Sequence, residues 1–160
     1  MIAEDDRHVS LIYQVGLPDE VFERFTVTSG DEVLESFKEW KPEILILDIM
    51  LPGISGYAVL KAIREEMNDT ETSIIMATSL SGRDAVLDCV QLGIQGYLVK
   101  PFSHREIAGK VLGYFQKVNS ERALQAIGRL QAFHARAEQA KHQEPDGDAA
   151  GKSDGPENVD

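Results

Sequence analysis

The chain has 160 residues, 42% of them hydrophobic, which suits one ordinary domain with a real core plus an appendage and excludes wholesale disorder. Its 16 Lys and Arg against 27 Asp and Glu leave a net charge of -11, so non-specific binding to nucleic acid or to an anionic membrane surface would work against the protein's own field. One cysteine, Cys89, excludes an intramolecular disulfide framework and any multi-cysteine metal site, and no apolar run approaches the roughly 20 residues of a membrane span. The start, Met-Ile-Ala followed by acid, has neither the basic nor the apolar part of a signal peptide, so the expectation is a soluble, cytoplasmic protein.

Met1–Ala3 reads as a stub of a strand, stopped by Glu4-Asp5-Asp6. From Arg7 to Val15 the spacing of Val9, Ile12 and Tyr13 suits a helix, ended by Gly16 and Pro18. Phe25–Thr28 is β-branched and aromatic and reads as a strand. Gly30-Asp31 opens a helix with Val33, Leu34 and Phe37 on one face. Ile44–Leu47 is a continuous apolar run, as expected of a parallel strand covered on both sides. Pro52-Gly53 and Gly56 mark a loop before a helix through Val59, Leu60 and Ile63. Ser73–Ala77 is another buried-type strand, Ala85–Leu92 a helix ended by Gly93, Tyr97–Val99 a fifth strand and Arg105–Val118 a fifth helix.

Five strands alternating with helices predict an α/β fold: a doubly wound, five-stranded parallel sheet flanked by five helices, because parallel strands need crossovers and these are normally helical. Ligands of such sheets sit beyond the carboxyl ends of the strands. Glu4 and Asp5 follow the first strand, Asp48 ends the third, Thr78 the fourth and Lys100 the fifth, so all five converge on one edge.

Three carboxylates in one pocket repel one another unless a cation neutralises them. An all-oxygen donor set suits a hard ion such as Mg²⁺. Lys100 adds a positive charge able to reach a phosphoryl oxygen, and the Thr78 hydroxyl can donate to another. Phosphoryl transfer needs little beyond a nucleophile, a metal and in-line positioning, and a carboxylate is an adequate nucleophile that yields an acyl phosphate. Singly, each element has a blander reading: an Asp after a strand is usually a cap or turn residue, and acids at a helix start favour its dipole. Their joint order at strand ends carries the functional reading.

The runs Ala3-Glu4-Asp5-Asp6, Leu47-Asp48-Ile49-Met50-Leu51-Pro52-Gly53, Ala77-Thr78-Ser79 and Tyr97-Leu98-Val99-Lys100-Pro101-Phe102 resemble those of response-regulator receiver domains, over about residues 1–118. The resemblance implies the flavodoxin-like receiver fold of the stand-alone chemotaxis-regulator type. It implies that Asp48 accepts a phosphoryl group from a histidine kinase or phosphotransfer protein. Glu4, Asp5, Asp48 and the Met50 backbone carbonyl would then hold Mg²⁺, with Asp5 and Asp48 as direct ligands and Glu4 through water. Thr78 and Lys100 would bind the phosphoryl group, and Tyr97 would match the family's aromatic switch. The same resemblance puts the face that meets a downstream protein target on helix four, strand five and helix five. It implies no enzymatic activity beyond self-phosphorylation and autodephosphorylation. The short first strand, the Gly16-Leu17-Pro18 interruption and Ser79 depart from the usual pattern without removing a chemical residue.

Residues 119–160 divide into a helical extension over 119–143 and an acidic stretch over 144–160, rich in Pro, Gly, Asp and Ser and expected to be disordered. Ala123, Ala126, Ile127, Leu130, Phe133 and Ala137 make an apolar stripe too small for an isolated helix. It should dock on the receiver, self-associate into a homodimer or meet a partner. The segment lacks the Arg and Lys cluster of a recognition helix, so no DNA-binding output is expected. His134 and His142 read as solvated polar residues and Cys89 as a small core residue. Two rival classes remain. A phosphate-independent scaffold of the same fold has no reason to gather repelling acids, and an aspartyl-nucleophile hydrolase usually has a second acid where this chain has Met50.

Overall fold

The computed structural model describes residues 1–79 and 83–141, the last including residues 83–85 by backbone alone. Five strands, β1 (Ile2–Ala3), β2 (Thr26–Val27), β3 (Ile44–Asp48), β4 (Ser73–Thr78) and β5 (Gly96–Val99), form one parallel sheet in the order β2-β1-β3-β4-β5. They alternate with α1 (Arg7–Gly16), α2 (Gly30–Trp40), α3 (Gly56–Lys61), α4 (Arg83–Gln91) and α5 (His104–Phe115), and α6 (Ser120–Lys141) follows. This is the flavodoxin-like doubly wound fold that the strand–helix alternation predicts.

The pleat sorts the apolar runs into two cores. Ile2, Ile46, Ile75 and Ala77 face α1 and α5 and pack with Tyr13, Leu17, Ile107 and Val111. Ala3, Leu45, Leu47, Ile74 and Met76 point to the other side and pack with Val33, Phe37, Val59 and Leu60 of α2 and α3. The middles of β3 and β4 are continuously apolar because successive residues serve opposite layers. Each Val, Leu, Ile, Phe or Met side chain in these cores, fully withdrawn from water, contributes about 1.5–3 kcal/mol. Cys89 lies in the second core, fully buried, as expected of a small core residue, and burial pushes its thiol pKa up.

Several boundaries differ from the sequence expectation. β2 keeps only Thr26–Val27 of the expected Phe25–Thr28, although the Phe25 carbonyl still accepts from the Ile2 N–H at 2.8 Å; the Phe25 ring stacks on Trp40, 4.8 Å away between centroids. α5 stops at Phe115, three residues short of Val118, and tightens into a turn in which the Val118 and Asn119 N–H groups donate to the Phe115 carbonyl. The third helix passes after Lys61 into a π-helical turn, Ala62–Glu66, where the Met67 N–H donates to the Ala62 carbonyl. From this turn the Arg64 guanidinium reaches the segments entering β4 and β5, donating to the Thr72 and Gly93 carbonyls.

α6 docks back on its own domain, the first of the three outcomes open to its apolar stripe. Ala126 and Leu130 join the core under α1 and α5, Ala123 is fully buried, and Arg122 reaches Glu43 at 2.7 Å. The expected end of the helix at residue 143, His142 and the acidic stretch 144–160 lie outside the described residues.

Candidate functional site

β3 ends on Asp48, paired with Ala77 of β4, and β4 runs one residue further to Thr78, paired with Val99 of β5. The Lys100 N–H then donates to the Thr78 carbonyl at 3.0 Å, so register alone sets Lys100 beside the ends of both strands. Glu4 and Asp5 leave β1 at the same edge because Ala3 pairs with Leu47. Carboxylate oxygens of Glu4, Asp5 and Asp48 all lie within 4.8 Å of one another.

Burial is unequal among them. Glu4 and Asp48 are buried, at 2% and 5% exposure, whereas Asp5 opens to solvent. Lys100 lies between the two buried acids: its Nζ contacts Asp48 Oδ2 and stands 2.6 Å from Glu4 Oε2. Asp48 Oδ1 accepts from the Met50 N–H at 2.9 Å, fixing the carboxylate plane from the loop side. Burial pushes the Glu4 pKa up, and the nearby Lys100 ammonium only partly offsets this. For Lys100 burial works to lower the pKa, but Asp48 and Glu4 outweigh it and the net direction is up. The ammonium therefore stays charged and acts as the resident counter-ion of the acid cluster.

Thr78 is fully buried at the end of β4. Tyr97 is half-buried and packs with the α2–α3 core; burial raises its pKa, with the fields of Cys89 and Asp48 adding to the effect. The Met50 side chain points to solvent at 62% exposure, so any contribution it makes to the site comes from its backbone.

Asp6, third of the acidic run, belongs to α1 instead: its carboxylate caps the helix by accepting from the His8 and Val9 N–H groups at 2.7 and 3.3 Å. Tyr13 was not legible as a neighbour of the acids, since its helical spacing marks only a core position. It is 1% exposed, lies against Phe102, and the charges of Glu4 and Asp48 add to the burial that raises its pKa.

Two glycines make room for this edge. Gly53, in the loop after Asp48, has φ +71°, a conformation costly for any residue with a Cβ. At Gly56 a Cβ would fall 1.8 Å from the Asp48 carbonyl oxygen. Gly56→Ala is therefore expected to lower the unfolding free energy by about 2 kcal/mol, because β3 or α3 must move away. Chemical denaturation measures this, and a loss under about 0.5 kcal/mol would show that the contact relaxes freely.

A doubly wound sheet with an acid cluster and a charge-paired lysine at its carboxyl edge defines the receiver class of fold. The match to known sequences is direct: the chain belongs to the response regulator receiver domain family, whose model covers residues 1–112. It is 32% identical over 120 residues to the phosphate regulon transcriptional regulatory protein PhoB of Rhizobium meliloti, covering 75% of this chain and 53% of that one. The chain spans about half the length of the curated relatives it matches. Among solved structures, the CheX-CheY-BeF3-Mg²⁺ complex from Borrelia burgdorferi aligns with TM-score 0.65 and 26% identity, over 71% of this chain and 86% of that one. Chemotaxis protein CheY4 of Vibrio cholerae aligns with TM-score 0.62 and 25% identity, over 73% and 94%. Among the described residues, no helix is long and apolar enough to cross a membrane.

Proposed function

We propose that the protein is a phosphorylation-controlled switch of a two-component system or phosphorelay. Asp48 accepts a phosphoryl group from the histidine of a kinase or phosphotransfer protein. An oxygen of its carboxylate forms the new P–O bond as the P–N bond breaks, and the imidazole leaves as the neutral, reprotonated ring. The observation that carries this reading is the buried Asp48 held between the Met50 N–H and the Lys100 ammonium, with Glu4 and Asp5 beside it.

The donor set fits a hard dication. Three carboxylates converge within 4.8 Å, and one ammonium neutralises only part of their charge. Glu4, Asp5, Asp48 and the Met50 carbonyl would hold Mg²⁺, which when bound supplies charge neutralisation for the phosphoryl oxygens. Lys100 and the Thr78 hydroxyl orient the same oxygens. The protein's own chemistry ends with accepting the group and releasing it by hydrolysis.

The signal leaves through protein contacts on the α4, β5 and α5 face. Leu87 and Val90 of α4 and Val99 of β5 are about half exposed there, next to Tyr97. Added phosphoryl charge draws the Thr78 hydroxyl toward Asp48, where Lys100 already sits, and Tyr97 responds to the space so vacated. A cytoplasmic location accords with this role.

A titration with Mg²⁺ tests the site. At a hundredfold excess over its dissociation constant, the ion is expected to stabilise the fold by about 2.7 kcal/mol, raising the melting temperature by roughly 5–10 °C. Asp5→Asn should remove most of this shift while leaving the metal-free protein at least as stable, because one of three repelling acids is gone. An unchanged melting temperature in wild type, or a full shift in the variant, would refute the metal assignment.

A further inference from the structure

At the amino-terminal edge of the sheet, opposite Asp48, lies a cavity of about 460 Å³. Ile2 and Ile46 of the sheet, Phe22 and Phe25 between α1 and β2, Leu112 and Phe115 of α5 and Ala126 of α6 line it. Trp40, at the end of α2, borders the opening, stacked on Phe25 and 53% exposed. The volume and apolar lining are those of a small-molecule site.

The charge at its mouth runs against that of the chain. Arg24, Lys41, Arg122 and Arg129 line it against only Glu23 and Glu43, in a protein of net charge -11. Arg24 is committed to Asp19 and the Gln14 carbonyl, and Arg122 to Glu43. Lys41 and Arg129, both exposed, make no ion pair among the described residues, and neither does the exposed Glu23, so the unpaired charge at the mouth is one net positive. A largely apolar cavity whose unpaired rim charge is one net positive complements a molecule with an apolar body and a single anionic head.

We infer that this cavity binds an apolar monocarboxylate, its hydrocarbon part on the Phe22, Phe25 and Leu112 walls and its carboxylate toward Lys41 and Arg129. Docking of α6 completes the site, since Ala126 and Arg129 come from that helix. The groove is independent of the phosphoacceptor reading and stands or falls separately from it.

Trp40 is the only tryptophan, so its emission reports occupancy without a label. The full chain is titrated with decanoate and, separately, with 1-decanol, each below its aggregation range. Decanoate is expected to change the emission saturably and to bind at least tenfold tighter than 1-decanol. The double variant Lys41→Glu/Arg129→Glu should lose at least tenfold in decanoate affinity, keep its 1-decanol affinity and melt as wild type does, since both side chains are exposed. Absence of saturable binding, equal affinity for the two probes, or undiminished decanoate binding by the folded double variant would overturn the proposal.

Discussion

Asp48→Asn is expected to take up no phosphoryl label from acetyl phosphate and Mg²⁺, a fall of at least about a hundredfold from wild type. The substitution preserves shape, and the amide oxygen can still accept from the Met50 N–H as Asp48 Oδ1 does at 2.9 Å. What is lost is the anionic oxygen that contacts Lys100 and would make the P–O bond. Lys100 keeps Glu4 at 2.6 Å as a partner, so the variant should remain folded and the loss should read as chemistry. Mass spectrometry of the intact protein, with hydroxylamine sensitivity of the adduct, measures it. Labelling that persists undiminished in the variant would remove Asp48 as the acceptor.

The largest effect on stability is expected at Arg64, whose side chain is only 8% exposed. Its guanidinium donates to the Asp69 carbonyl and Oδ1, both at 3.0 Å, and to the Thr72 and Gly93 carbonyls at 2.9 and 3.1 Å. It also reaches Gln95 Oε1 at 3.2 Å, the same oxygen that accepts from the Ile74 N–H at 2.8 Å. One side chain thus ties the segment entering β4 to the segment entering β5. Arg64→Ala removes the donor from several part-buried acceptors, the carbonyl of the buried Thr72 among them, and should cost about 3 kcal/mol, lowering the melting temperature by roughly 6–12 °C. Arg64→Lys should recover little, because a point charge cannot span the planar fork. The network lies at the edge away from Asp48, so the folded variant should label normally. A loss below about 1 kcal/mol would mean that water replaces the guanidinium without penalty.

The sheet was legible because a parallel strand covered on both faces must be apolar through its middle, and Ile44–Leu47 and Ile74–Ala77 satisfy that, with the buried Ser73 opening the second run. The acid cluster was legible for the converse reason: Glu4, Asp5, Asp48 and Lys100 interrupt those runs at their carboxyl ends, where only one edge of the sheet can receive them. Arg64 was not, because most of its partners are backbone carbonyls and Gly93 is 29 residues away; a carbonyl leaves no trace in a sequence. The π-helical turn was hidden likewise, since Ala62–Glu66 has the composition of an ordinary helix. The stripe on α6 showed that something must cover it, but only the fold could show that α5 and its own core do so.

The pairing of Lys100 with both buried acids has a consequence for the order of events. Three carboxylates and one ammonium leave the edge with a local charge of about minus two, which turns away a polyanionic donor. A bound dication would bring that sum near zero, and transfer of the phosphoryl group would then make it negative once more. The edge would thus admit its donor only in the cation-loaded state and favour release of the group afterwards. The excess of acid over the one lysine would set a sequence, cation before phosphate.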